Sequence, residues 1–412
     1  MISIAHAPNA TREQRALARR LLNPLHWPKH KRGSAIGKLE QWFRIRYKVP
    51  EAVSFATGRE ALLAVLQALN IGQGDDVIIQ AYTCIVVPHA VLWSGAKPVY
   101  ADIDDTLNMD PRSLLARLTP KTKAVIVQHT FGAPADIAAI KRICDERNLL
   151  LIEDCAHSLG AQFNGKEVGS FGDAAIFSFG RDKVISSTSG GMAIVARLPI
   201  GQRLRAIQTA GSYPSGVWIV QNLLHPLLVP LARERMHGSR MGGLLLRLFQ
   251  AIGLLNKVYT RLELDSVPTT ESPRPMPNAM AELARAQLHD QWRDFADHRQ
   301  QLADEYTSWA QKRGVKYQQI HPASTPAYLR WTCLSQHSGK VLAEARKQGF
   351  ILGDWYTDVI MPAPHDEALL GYQRGSCPNA EGAAARSINL PTNHLMKLQQ
   401  VQPLTEILDR IV

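Results

Sequence analysis

The chain has 412 residues, 45% of them apolar and 20% charged, which is enough apolar mass for a substantial core and too long for one small domain. Its five cysteines (Cys84, Cys144, Cys155, Cys333, Cys377) are scattered without a CxxC pair. This excludes a disulfide framework and a zinc site, and points to a reducing, cytoplasmic setting with no metal. The formal charge of +11 has two readings: a solvated basic surface, or an anionic partner such as a nucleotide-sugar, a membrane surface or nucleic acid. No nucleic-acid motif accompanies it, so nucleic acid ranks last.

The opening MISIAHAPNATREQRALARR lacks the apolar core of a signal peptide, and no run of about 18 uncharged apolar residues predicts a spanning helix. Residues 1–50 read as polar and helical, ending in GKLEQWFRIRYKVP. Helix and strand then alternate. TGREALLAVLQALN (57–70) has helical period, DVIIQA (76–81) reads as a short strand, VVPHAVLWSG (86–95) as helix and KPVYADID (97–104) as strand. KAVIVQHT (123–130) is a strand, ADIAAIKRICDERN (135–148) a helix, and LLLIED (149–154) an almost wholly apolar strand of the kind buried in parallel sheets. DAAIFSF (173–179) and GMAIV (191–195) complete the pattern. Repeated βα units predict an α/β domain with a mostly parallel sheet, whose ligands sit at the carboxyl ends of strands. Asp154, Ser178 and His129 fall at or near such ends.

Residues 217–264 break the rhythm with Leu-rich stretches interrupted by Pro226 and Pro230 and studded with Arg233, Arg235, Arg240, Arg247, Lys257 and Arg261. Two readings stand: a helical pair packed on the body or at a dimer interface, or a pair lying in a membrane interface. VPTTESPRPMPN (267–278) reads as a linker, and a long helix from about 279 opens a second, smaller α/β domain. The expected division is 1–275 and 276–412.

Three features between 57 and 191 carry chemistry. Gly58 begins a helix, where free N–H groups and the positive dipole end bind phosphate, and Arg59 adds a forked cationic donor; a plain turn glycine is the competing reading. Asp154 ends a buried strand, costly without a partner; a protonated pyridine nitrogen would justify it, and a turn aspartate is the alternative. Lys183 lies in FSFGRDK (177–183) beyond another strand, either as a solvated lysine or as a desolvated amine nucleophile.

The runs FATGREAL, DDVIIQAYTCIVVPHAVLWSGAKPVYADID and LLIEDCAHSLGAQFNGKEVGSFGDAAIFSFGRDKVISSTSGG, with GYQRGSCPNAEGAAARSINLPTN near the C-terminus, resemble the DegT/DnrJ/EryC1/StrS aminotransferases. The resemblance implies a fold type I transferase dependent on pyridoxal 5'-phosphate (PLP). It implies that Lys183 holds the cofactor and shuttles a proton, that Asp154 pairs with the pyridine nitrogen, and that Ser178, Gly58 and Arg59 bind the phosphate. His157 stands where the family's Gln or His faces the cofactor's phenolic oxygen. Arg59 replaces the usual Thr, Ser189 replaces a Glu, and Cys84 occupies the position of a ring-stacking aromatic, a task then left to Tyr82 or another residue. The implied activity is transfer of an amino group from a donor, commonly L-glutamate, to a keto-sugar of the nucleotide-linked kind, by a homodimer. A PLP-dependent sugar dehydratase, which uses histidine in place of Lys183, and a non-catalytic sensor of the same fold are the rival readings.

Overall fold

The computed structural model describes residues 1–236, 241–257, 272–290, 292–363 and 365–411. Arg240, Arg261 and the first part of the expected linker, 267–271, lie outside the described residues. A seven-stranded sheet runs in the order Glu51–Phe55, Gly191–Val195, Ala174–Ser178, Leu150–Asp154, Thr122–Gln128, Asp76–Gln80, Lys97–Ala101. Neighbouring strands are parallel except Gly191–Val195, which is antiparallel to both of its neighbours. This is the α/β, mostly parallel arrangement expected from the alternating elements.

Side chains alternate across the sheet as strand geometry requires. Ala174 and Ile176 enter one apolar core with Leu62, Val91 and Leu204, while Ala175 and Phe177 enter a second with Ala18, Leu39, Ile140 and Ala284. The first group comes from helices Gly58–Ala68, Val86–Trp93 and Leu198–Ala210; the second from Arg12–Leu22, Ser34–Tyr47, Ile137–Glu146 and Asn278–Asp290. Burial on both faces is why these strands read as continuous apolar runs. A third cluster, including Tyr306, Val341, Ile388 and Leu404, surrounds the antiparallel strands Lys316–Tyr317, Arg330–Leu334 and Ser387–Pro391.

Three details differ from expectation. The long helix after 279 is two helices: Asn278–Asp290 packs into the central-sheet core through Ala281, Ala284 and Leu288, and Trp292–Arg313 into the third cluster through Leu302 and Tyr306. Residues 1–50 are not all helix: Ile2–Ser3 forms a short strand parallel to Phe350–Ile351, and Ile2 packs into the third cluster. Helix Gly216–Glu234 runs through both Pro226 and Pro230. Prolines four apart place their missing donors on one side of the helix. The surrounding burial of Ile219, Leu223 and Val229 keeps the helix intact.

Glu153 shows how a buried carboxyl group is accommodated beneath the sheet ends. It is fully buried; Oε1 accepts the N–H groups of Phe171 and Gly172 at 2.6 and 2.7 Å, and Oε2 that of Gly169 at 2.6 Å. His129 lies against it through Nε2 at 3.3 Å, while its Nδ1 accepts the Ala135 N–H. His129 therefore braces this loop rather than facing a ligand. Replacing Glu153 with alanine leaves three buried donors unpaired, and we expect a loss of about 3 kcal/mol or more in chemical denaturation; an unshifted denaturation midpoint would contradict this account.

Candidate active site

Strand order brings the expected residues together. Leu150–Asp154 and Ala174–Ser178 are parallel neighbours, so Asp154 and Ser178 end side by side at the carboxyl edge of the sheet. Asp154 is 6% exposed, and its Oδ1 accepts the Ala156 N–H at 2.9 Å. Burial raises its carboxyl above the ordinary range; the Ala156 N–H, then Lys183 and His129, pull it partly back. Lys183 thus lies within electrostatic reach of Asp154. It also reaches His157, whose imidazole is driven well down by burial first, then by Lys183 and Arg330. His157 is neutral near pH 7, and its Nδ1 accepts the Phe131 N–H at 3.3 Å, which leaves the proton on Nε2. The Phe131 ring stacks on the imidazole at 5.8 Å.

Helix Gly58–Ala68 points its N-terminus at the same place. Thr57 caps it by accepting the Glu60 N–H. A Cβ added at Gly58 would stand 3.1 Å from Ser178 Cβ and 3.2 Å from its Oγ. Glycine therefore keeps open a cradle between a helix N-terminus and a serine hydroxyl, the setting that suits a phosphate. Ser178 Oγ also accepts the Gly180 N–H at 3.3 Å. The guanidinium of Arg59 lies 5.7 Å from the centroid of Trp93, which stacks on His89.

Cys84 is partly buried in the short strand Thr83–Cys84, paired with Ile360–Met361, and lies near Tyr356. Tyr82 is fully buried, its hydroxyl 2.5 Å from Ser387 Oγ and its ring edge-on to Phe131 and Tyr356. It belongs to the core and cannot stack on a ligand. Ser189 donates to the Ala56 carbonyl at 2.8 Å.

Two groups were not anticipated from sequence. Arg330, 4% exposed, donates to Asp182 Oδ2 at 2.5 Å and to Asn389 Oδ1 at 3.1 Å. Burial raises the Asp182 carboxyl, but Lys183 and Arg330 outweigh it and hold the group ionised. With His6, Arg346, Asp354 and Trp355, Arg330 lines a cavity of about 280 Å³. A cation opening the buried strand RWTCL was the available signal. Phe131 carried none.

The DegT/DnrJ/EryC1/StrS aminotransferase family profile matches residues 11–218 and 247–409. Over 167 residues, 40% of this chain, the sequence is 42% identical to a UDP-N-acetyl-3-dehydro-alpha-D-glucosamine 3-aminotransferase of Acidithiobacillus ferrooxidans, a stretch covering 45% of that relative. The chain thus matches less than half the length of this curated relative. In structure it resembles an aminotransferase of Streptoalloteichus hindustanus, with TM-score 0.76, 21% identity and 99% and 98% of the two chains covered. It also resembles a Streptococcus pneumoniae protein described as a sugar aminotransferase, in its PLP form, with TM-score 0.75, 18% identity and 98% and 97% covered. These structural likenesses identify the fold.

Three buried histidines give a pH prediction. His89 is pushed down to about 3 by burial, then by Arg59 and His365, and His157 and His225 also lie well below the ordinary value. With a folded pKa below the unfolded value of about 6.5, each binds fewer protons folded than unfolded, so stability falls as pH drops below about 6.5. The slope is on the order of 1 kcal/mol per histidine per pH unit. Cofactor-free protein should show a lower urea midpoint at pH of about 5.5 than at about 7.5; equal midpoints would refute it.

Proposed function

The chain belongs to the DegT/DnrJ/EryC1/StrS aminotransferase family, and from that premise we propose that it is a PLP-dependent aminotransferase of a keto-sugar, in the nucleotide-linked form named for its Acidithiobacillus relative. The observation that carries the reading is the shared electrostatic environment of Lys183 and Asp154 at the sheet's carboxyl edge, beside the Gly58–Ser178 cradle.

PLP, when bound, supplies an electron sink for the substrate's reacting carbon. The chain's own groups do the rest. The Gly58 end of its helix, Ser178 Oγ and Arg59 would hold the phosphate. Asp154 holds the ring nitrogen protonated, a pairing that makes use of a buried carboxylate. His157 offers its Nε2–H to the phenolic oxygen because Phe131 occupies Nδ1. Lys183 anchors the cofactor and then moves a proton at the substrate carbon. Cys84 flanks this site beside Tyr356. L-Glutamate is the proposed amino donor and a homodimer the proposed assembly, both from the family, with the cytoplasm as the compartment.

The purified protein should be yellow, and L-glutamate should bleach the visible band. Lys183→Ala should lower turnover by about 10³-fold or more, and Asp154→Ala by about 10²-fold. Near-normal turnover in the lysine variant would sink the assignment; yellow protein indifferent to every amino donor would favour a sensor.

A peripheral membrane contact is proposed for the extra segment. No helix among the described residues is long and apolar enough to cross a membrane. Helix Met241–Ala251 nevertheless exposes Met241, Leu244 and Leu248 at 52–61%, with Ile252 beyond it at 59%. No acidic residue occurs from Arg235 to Leu262. An apolar stripe among basic residues suits an anionic bilayer. The full chain should float with phosphatidylserine liposomes and a Leu244→Glu/Leu248→Glu variant should not; identical behaviour of the two would remove the proposal.

A further inference from the structure

Residues 179–190 connect two antiparallel strands; Phe179 still pairs with Gly190, but between them the path is irregular and many backbone groups lack ladder partners. Four of these groups are instead held by side chains from distant parts of the chain. Asn9 Nδ2 donates to the Lys183 carbonyl. Arg299 Nη2 donates to the Val184 carbonyl at 2.9 Å, and Gln14 Nε2 to that of Ser186 at 2.5 Å. The Ser186 N–H donates to Gln287 Oε1 at 2.7 Å, and Gln287 Nε2 donates back to the Asn9 carbonyl at 2.9 Å. Asn9, Gln14, Gln287 and Arg299 are each 1–3% exposed.

The segment that delivers Asn9 is itself tied down at both ends. Ile2–Ser3 pairs with Phe350–Ile351, and Asn393 Nδ2 donates to the Ser3 carbonyl at 3.2 Å. Arg233 Nη1 donates to the carbonyls of His6 and Ala7 at 2.9 and 3.2 Å, and Thr11 caps the helix that carries Gln14. Residues 2–14 therefore form a strap from the third apolar cluster to the lysine loop.

We propose that Asn9 is a positioning residue for Lys183: its amide fixes the carbonyl of the lysine's own peptide and so the direction in which the ε-amine is presented to the cofactor and substrate. The proposal rests on Lys183 being the cofactor lysine. An error in orientation costs more at a reacting centre than in the ground state.

The test compares Asn9→Asp, which keeps the volume but turns the donor into an acceptor facing a carbonyl, with Asn9→Ala. Both are measured as PLP-loaded holoenzyme, beside Lys183→Ala. We expect kcat to fall about tenfold in Asn9→Ala and further in Asn9→Asp, with KM for the sugar unchanged. In both variants the pH midpoint of the visible cofactor band should move, because the lysine's surroundings have changed. Wild-type kcat and band midpoint in folded Asn9→Asp overturn the role of Asn9 while leaving Lys183 intact. An equal kcat loss in the two variants with an unmoved midpoint reduces Asn9 to packing and also overturns it. A yellow, active Lys183→Ala would instead overturn the underlying reading.

Discussion

A carboxylate buried at the end of a central strand must be offset by positive charge or give up its own. Asp154 is in that position, and the Ala156 N–H and then Lys183 pull its carboxyl back toward ionisation. Much of the surrounding architecture follows from keeping that lysine and carboxylate together. Parallel pairing of their two strands aligns the carboxyl ends. The reversed strand Gly191–Val195 then carries the chain back past the helix N-terminus, where a Cβ on Gly191 would lie 2.4 Å from the Thr57 carbonyl oxygen. Glycine at 191 lets this strand pass against the Thr57–Gly58 backbone, and glycine at 58 leaves the space beside Ser178 open.

Arg330 extends this charge arrangement to the third apolar cluster. It comes from a strand of the antiparallel sheet, yet its guanidinium meets Asp182, the residue before Lys183. It also lies 5.9 Å from the Phe131 ring and 5.5 Å from that of Trp355. A buried guanidinium held by a carboxylate, an amide oxygen and two aromatic faces is well compensated. Relative movement of the two sheets would have to disturb that set of contacts.

The parts legible in the sequence were those set by local rules. Apolar runs marked the sheet strands, and their ends marked Asp154 and Ser178, because period and termination are properties of a short window. Lys183 and Gly58 were legible through ordered motifs. Asn9, Phe131 and Arg330 were not, because each reaches the site across a long chain separation that no window spans. Asn9 sits in a stretch that reads as unremarkable polar sequence, and its partner is a backbone carbonyl, which leaves no trace in residue type. Tyr82 failed in the opposite sense: an aromatic close to a motif position suggested stacking, but a hydroxyl that reaches Ser387 and a ring with no exposed surface commit it to the core. The two prolines in Gly216–Glu234 show tertiary burial overriding local propensity.

The strap has one further consequence. Ile4, Ala5 and His6 wall the cavity that Arg330 enters, and a few residues later the same backbone delivers Asn9 to the lysine loop. Ile351 walls the cavity from the strand paired with the strap, and Leu342 from the separate helix Ser338–Lys347. Any reshaping of this cavity would meet an asymmetry. Replacements at Ile4 or His6 would carry epistatic penalties in rate, because reshaping the wall displaces the brace. Libraries at Leu342 would vary the wall from outside the strap.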